Sequence, residues 1–386
     1  MRRLLKILKP KGDTQLWVIL LILAGISLIA VYSSIGYTAV YALHKSPTIV
    51  FLRHALYVVI TFVIAIMTTK LNPRNISRIA QLGYWFSIGL LVAMLVIGGR
   101  WLKVPIVKQI QPSEIAKIFL VIQMARLLTK HHNTITKKET FGMLLVAVIL
   151  IAGPVLPENL STAILFFVTS LVMMYMAGAK KKYVIGTLIV CTVAGSALLY
   201  GSYHLFHSPL QEWARGTKLS RAETWSNRID RWINYDPEAF SQENMARMAI
   251  ADGKVFGIGI GNTVHARLMT QANNDFIFAI IVEEKGMLAG LLIFVLYSWF
   301  FMRCIKLSYK QSNRFSALAI AGMGTMIYLQ AMVHIFVNIG ALPVTGQTLP
   351  FISSGGTAYI LLGGGFGIIQ ALVIHNDANT SDTESA

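Results

Sequence analysis

The hydrophobic positions of this chain come in long blocks, unlike the alternation of a surface strand or the narrow stripe of a surface helix. Each block approaches the roughly 20 residues of a bilayer crossing, and short polar, often basic, stretches separate them. The pattern predicts ten helices, at 16–36, 51–69, 79–97, 113–128, 141–156, 162–177, 183–206, 275–302, 317–339 and 356–374. The fourth opens at Pro112, Ser113 and Glu114, a proline, a capping serine and an acid in the first turn. A long polar segment, about 207–274, separates the seventh and eighth helices. The expected fold is all-α: a polytopic membrane protein with about ten transmembrane helices in one domain over 1–375. A polar tail, 376–386, is expected to be disordered. No internal repeat is evident, which weighs against inverted-repeat transporter folds.

Composition agrees with this picture. The chain is 55% hydrophobic and 13% charged, where a soluble domain carries about 25% charged residues. The first apolar run lacks a convincing small-residue cleavage site and reads as a retained helix. The net charge of +17 raises the question of nucleic acid. Most of the lysines and arginines, however, sit in short loops and tails, where they set topology. Cys191 and Cys304 lie in or at the end of apolar runs and read as small buried hydrophobes.

If the N-terminus is cytoplasmic, the inner loops receive residues such as Arg74, Arg126, Lys137, Lys138, Lys180, Lys181, Lys182, Arg303, Lys306 and Arg314. The opposite short loops receive only Lys45, Arg53, Arg100, Lys103 and Lys108. That asymmetry places both termini in the cytoplasm and 207–274 outside.

Against this apolar background a few polar residues stand out, because charge inside a bilayer is costly and usually functional. Asp275 opens the eighth apolar run at a membrane boundary. It can cap the helix, act as a base, or both. Glu283, Glu284 and Lys285 follow it and suit structural pairing. Glu114 and Lys117 share one helix face and read either as a structural ion pair or as the lining of an outward cavity. Gln330, His334 and Asn338, four apart, stripe the ninth helix; interhelical hydrogen bonding is the first reading and a proton relay the second. The run Gly257-Ile258-Gly259-Ile260-Gly261 lacks the strand and helix context of a nucleotide loop and reads as a turn or re-entrant contact. Trp213, Trp225, Trp232 and Tyr235, interleaved with arginines, suit an interfacial helix, and Trp101 an interface anchor. The Pro/Gly/Ser-rich loop 340–355 can sit at membrane depth only where protein or water satisfies its backbone. With this topology, loop 98–111, the start of the fourth helix, Asp275 and loop 340–355 converge on the outer face.

Three stretches together resemble the SEDS family (shape, elongation, division and sporulation), which includes FtsW, RodA and SpoVE. They are Gln111-Pro112-Ser113-Glu114-Ile115-Ala116-Lys117, then Asn274-Asp275-Phe276-Ile277-Phe278-Ala279 with Glu283-Glu284-Lys285-Gly286, and Thr348-Leu349-Pro350-Phe351-Ile352-Ser353-Ser354-Gly355-Gly356-Thr357. The resemblance spans nearly the whole chain. It implies a peptidoglycan glycosyltransferase of the bacterial inner membrane that polymerises lipid II beside a class B penicillin-binding transpeptidase and other divisome membrane proteins. It implies the catalytic role for Asp275 and supporting or substrate-binding roles for Glu114, Lys117, Trp101, Ser354 and Gly355. No cofactor is fixed; a divalent cation (Mg or Mn), or cations such as Lys117, would offset leaving-group charge. There are departures. Asn159 stands at an acidic position of the family, beside Glu158, and Ser161 at a glycine; Asn273-Asn274 replace a frequent His-Thr. The outer segment, with Asn227 to Trp232 and Gln242, resembles the division branch more than the elongation branch. A lipid II flippase and a non-catalytic scaffold are the rival readings.

Overall fold

The computed structural model describes residues 11–37, 46–97, 101–104, 108–206, 220–234, 236, 240–269 and 272–384. Each predicted apolar block forms a helix, and two further helices lie in the polar segment. In chain order they are α1 (Thr14–Tyr37), α2 (Pro47–Thr68), α3 (Pro73–Ile97), α4 (Pro112–Lys130), α5 (Lys138–Val155), α6 (Leu160–Met176), α7 (Lys181–Phe206), α8 (Ser220–Ile233), α9 (Gln242–Gly253), α10 (Ile277–Tyr309), α11 (Arg314–Asn338) and α12 (Thr357–Glu384). Among the described residues, seven are long and apolar enough to cross a membrane: α1, α2, α3, α5, α10, α11 and α12. The apolar α6 is shorter.

Local chemistry sets the helix ends. Pro112 begins α4, with Glu114 in its first turn and Lys130 in its last, the arrangement the helix dipole favours. Asn159, Ser241 and Asn313 cap α6, α9 and α11 by accepting the N–H of Thr162, Asn244 and Phe315.

Burial ranks the helices. In α11, 78% of the apolar window is buried, against 22% in α2. The central α11 packs on α10, α4, α6 and α12. Outward residues such as Leu21, Leu82 and Val96 are exposed, as lipid-facing positions must be in a bilayer. At the end opposite Asp275, Arg303 donates to Asp13 (Nη2–Oδ2 2.5 Å), Gln370 brackets the Asp13 backbone, and Arg314 donates to the Ala177 carbonyl at 3.1 Å.

Four features depart from the sequence reading. The stretch read as a loop over 98–111 contains an antiparallel hairpin, β1 (Leu102–Val104) and β2 (Lys108–Ile110), with Leu102 opposite Ile110. The helix α10 is broken at Gly286, whose φ of 80° and ψ of 174° belong to a region essentially restricted to glycine. The helix α12 continues to Glu384, through the stretch expected to be a disordered tail. Asn376 holds its start, donating to the Lys310 carbonyl and accepting from Ser312. Cys304 is buried as expected, but Cys191 is exposed. The readings of Arg100, Trp213 and Tyr235 fall outside the described residues.

Candidate functional site

The segment between α11 and α12 (341–356) is irregular, yet much of it is buried. Its backbone is satisfied by side chains from six helices. Arg228 of α8 donates to the Val344 carbonyl at 3.2 Å and Ser161 of α6 to Thr345 at 3.3 Å. From α11, His334 Nδ1 meets the Gln347 carbonyl at 2.7 Å and Gln330 Nε2 that of Thr348 at 2.9 Å. The Tyr297 hydroxyl of α10 bonds Pro350, Tyr359 of α12 bonds Phe351 at 2.9 Å, and Ser27 of α1 bonds Ile352 at 2.7 Å. Hydrocarbon offers no hydrogen bonds, so an irregular segment at membrane depth needs this kind of support. It also holds Phe351, buried at φ 60°, in a conformation disfavoured for a bulky residue.

The same segment frames Asp275. The Ser353 hydroxyl donates to the Asn274 carbonyl (2.8 Å), and the Ser354 N–H to that of Asn273 (3.1 Å). The Ser354 hydroxyl also reaches Asn274 Oδ1 at 2.8 Å. Gly355 follows in the turn into α12. Across the site, Asn338 Nδ2 donates to the Asp275 carbonyl at 3.1 Å, while its Oδ1 accepts from the Ala279 N–H at 3.1 Å. The Asp275 side chain points at the loop: a Cβ on Gly346 would stand 3.7 Å from Asp275 Oδ2. Asp275 is half-buried, and Phe276 occupies the N-cap position of α10. The carboxylate is thus placed beside a built wall instead of in the cap position.

Arg228 supplies positive charge here. Burial lowers its pKa and the nearby Asp275 carboxylate raises it. The sequence places Arg228 among the cations of the 207–274 segment without assigning it to the site; its signal is its place among aromatics on the amphipathic α8.

Glu114 and Lys117 form an ion pair of 2.7 Å with side chains only 8% and 1% exposed. They are enclosed and do not line an open cleft. Lys117 Nζ donates to Gln330 Oε1 at 2.9 Å, so the pair anchors the residue that holds Thr348. Gln330, His334 and Asn338 are each about 1% exposed, and all three clamp the loop or the Asp275 turn. This is the interhelical hydrogen-bonding reading. Trp101 is 48% exposed beside the hairpin. Asn159, at the family's acidic position, is the α6 cap, while Glu158 lines a small cavity with Ser113.

Glu283 and Glu284 serve the break in α10. Glu283 accepts the N–H groups of Val264 (2.9 Å) and His265 (3.1 Å) and the Thr263 hydroxyl. Glu284 accepts from Ser33, from the Gly261 N–H at 3.2 Å and from Lys285. The glycine run lies against the break, and Ile258 and Gly259 donate to the carbonyls of Glu283 and Glu284. Among the described residues, no three His, Cys, Asp or Glu side chains gather as a metal site.

A family model described as a cell cycle protein, covering FtsW, RodA and SpoVE, matches residues 13–378. The probable peptidoglycan glycosyltransferase FtsW of Enterococcus hirae is 28% identical over 91% of this chain and 90% of its own length. Its Escherichia coli O6:H1 namesake is 28% identical over 80% and 73%. RodA of Thermus thermophilus superposes with a TM-score of 0.65 at 19% identity, covering 95% of this chain and 97% of that one. A chain from a peptidoglycan synthase complex, studied for how polymerization and crosslinking are coordinated, gives 0.72 at 20% identity, covering 95% and 98%. At these identities the two structures establish a shared fold.

Proposed function

The chain belongs to the FtsW/RodA/SpoVE family of cell cycle proteins, and from that premise we propose that it polymerises lipid II into glycan strands, with Asp275 as general base. The observation that carries this reading is the placement of Asp275. It is half-buried on a turn clamped by Ser353, Ser354 and Asn338, with Gly346 in front and Arg228 nearby.

In the step proposed, the acceptor's 4-hydroxyl gives its proton to the Asp275 carboxylate. Its oxygen forms a bond to the donor's anomeric carbon. The bond from that carbon to the diphosphate oxygen breaks, and its electron pair leaves with the lipid diphosphate. Attack opposite the leaving group inverts that carbon. The clamped turn contributes orientation, and base catalysis about a hundred- to ten-thousand-fold. A Mg²⁺ ion would draw on one carboxylate and the substrate's phosphates.

The loop asymmetry of lysine and arginine supports cytoplasmic termini, with Asp275 facing outward. The names of the relatives support the division branch, and the synthase-complex neighbour supports a penicillin-binding transpeptidase as partner. In the flippase reading, Glu114, Lys117 and the α11 stripe would line a path. Their burial and mutual bonds favour the polymerase reading. Purified protein in detergent, with no second compartment, is expected to make glycan from lipid II. A protein that moves lipid II across vesicles yet makes no glycan, with or without the transpeptidase, would overturn the proposal.

A further inference from the structure

The outer ends of α8, α9 and α11 enclose a cavity of about 70 Å³, room for several waters and so for a phosphate group. Three guanidinium groups line it, Arg228, Arg231 and Arg247, against two carboxylates, Asp236 and Glu243. The lining is therefore net cationic by one charge. Its geometry is built. A Cβ on Gly340 would stand 2.4 Å from Arg247 Nε, so glycine at that position leaves the space that the guanidinium fills. Trp232 Nε1 donates to the Gly340 carbonyl at 3.0 Å and fixes the end of α8 over the mouth. Arg231 is half-exposed, 3.7 Å from Glu243, and its Nε donates to the Asn227 carbonyl at 3.2 Å, which leaves most of the guanidinium facing the cavity.

Position adds to charge. The cavity shares Val344 and Arg228 with the wall of the Asp275 site. The strongly amphipathic α8 suits the membrane interface, the level at which the diphosphate of a polyprenyl-linked sugar lies. Planar guanidinium forks match phosphate oxygens in pairs. Donors set where leaving-group charge develops lower the barrier of the transfer.

We propose that this cavity is an anion subsite that binds the diphosphate of the lipid-linked donor, with Arg231 and Arg247 as its cations. The inference rests on the polymerase reading for the identity of the ligand, but the binding itself is testable without turnover.

The test is equilibrium binding of inorganic pyrophosphate and farnesyl diphosphate to the purified full-length protein in detergent. Farnesol is the uncharged control. Wild type is expected to bind both diphosphates saturably, more weakly as salt rises, and farnesol no better than the variants do. Arg231→Gln and Arg247→Gln are each expected to weaken diphosphate binding by about tenfold or more, the value of a charge-assisted bond. Arg267→Gln, an exposed charge outside the cavity, is expected to stay within about twofold of wild type. Glu243→Gln removes the internal competitor and is expected to tighten binding, an effect that misfolding cannot mimic. Equal binding by wild type and both arginine variants, no saturable binding by wild type, or weaker binding by Glu243→Gln would overturn the subsite. Failure of wild type to make glycan would instead sink the polymerase reading and leave these binding results standing.

Discussion

Asp275 and Glu283 lie eight residues apart in the same stretch of chain, and both accompany a departure from regular backbone. Their surroundings differ. Glu283 is fully buried and receives two backbone N–H groups and a hydroxyl. The break beside it is closed by backbone: Ile258 and Gly259 donate to the freed carbonyls, and Met287 donates to Lys254 at 2.8 Å. Glu283 is thus consumed by structure. At Asp275 the roles are reversed. Ser353, Ser354 and Asn338 hold the backbone around it, while its side chain faces Gly346 and lies near Arg228. The proposed base is thus an acid whose turn is scaffolded by other groups, whereas Glu283 is itself the scaffold.

Lys117→Met tests the scaffolding most severely. It would leave Glu114 buried without its cation, and removal of one partner from a buried pair costs about 3–5 kcal/mol. Thermal unfolding should show that loss, and pairing it with Glu114→Gln should recover much of it. If the single variant unfolds like wild type, the pair does not anchor Gln330 and the loop.

Gly286→Ala comes next. A Cβ there would stand 2.0 Å from the Val255 carbonyl, and the backbone conformation alone costs a non-glycine residue of order 1–3 kcal/mol. The expected result is a clear loss of stability, with protease-sensitive sites opening in 253–263. Unchanged melting would show that the break is not a fixed joint.

Ser27→Ala should have the mildest effect. It removes the donor to Ile352 and the neighbour of His54 Nε2 at 2.8 Å, so about 1–3 kcal/mol is expected from the unsatisfied carbonyl. The glycan yield should fall further than the folded fraction, because the loop also positions Asp275. A yield that follows the folded fraction would separate the deep part of the loop from the site.

These contrasts also show what could be read from the chain alone. The apolar helical blocks were legible because length and apolarity are local properties. Asp275, Glu114 and Lys117 were legible because charge is conspicuous among hydrocarbon residues. The break at Gly286 was not, since a lone glycine in an apolar run is compatible with a continuous helix, and the strain appears only once Val255 lies against it. The hairpin at Leu102–Val104 was missed because three-residue strands carry almost no periodicity. Ser27, Tyr297 and Tyr359 look like ordinary residues of apolar spans. Their work is defined by carbonyls that are 53 or 325 positions away in the cases of Tyr297 and Ser27, and no local pattern encodes that.

The central claim is that Asp275 is a working base while Glu283 is a structural acceptor. The direct test measures lipid II polymerisation and thermal unfolding side by side for Asp275→Asn and Glu283→Gln. Asp275→Asn is expected to melt like wild type and lose about a hundredfold or more of its turnover. Glu283→Gln is expected to lose about 1–3 kcal/mol of stability, with turnover per folded molecule largely kept. A folded Asp275→Asn protein that polymerises at the wild-type rate would contradict the account.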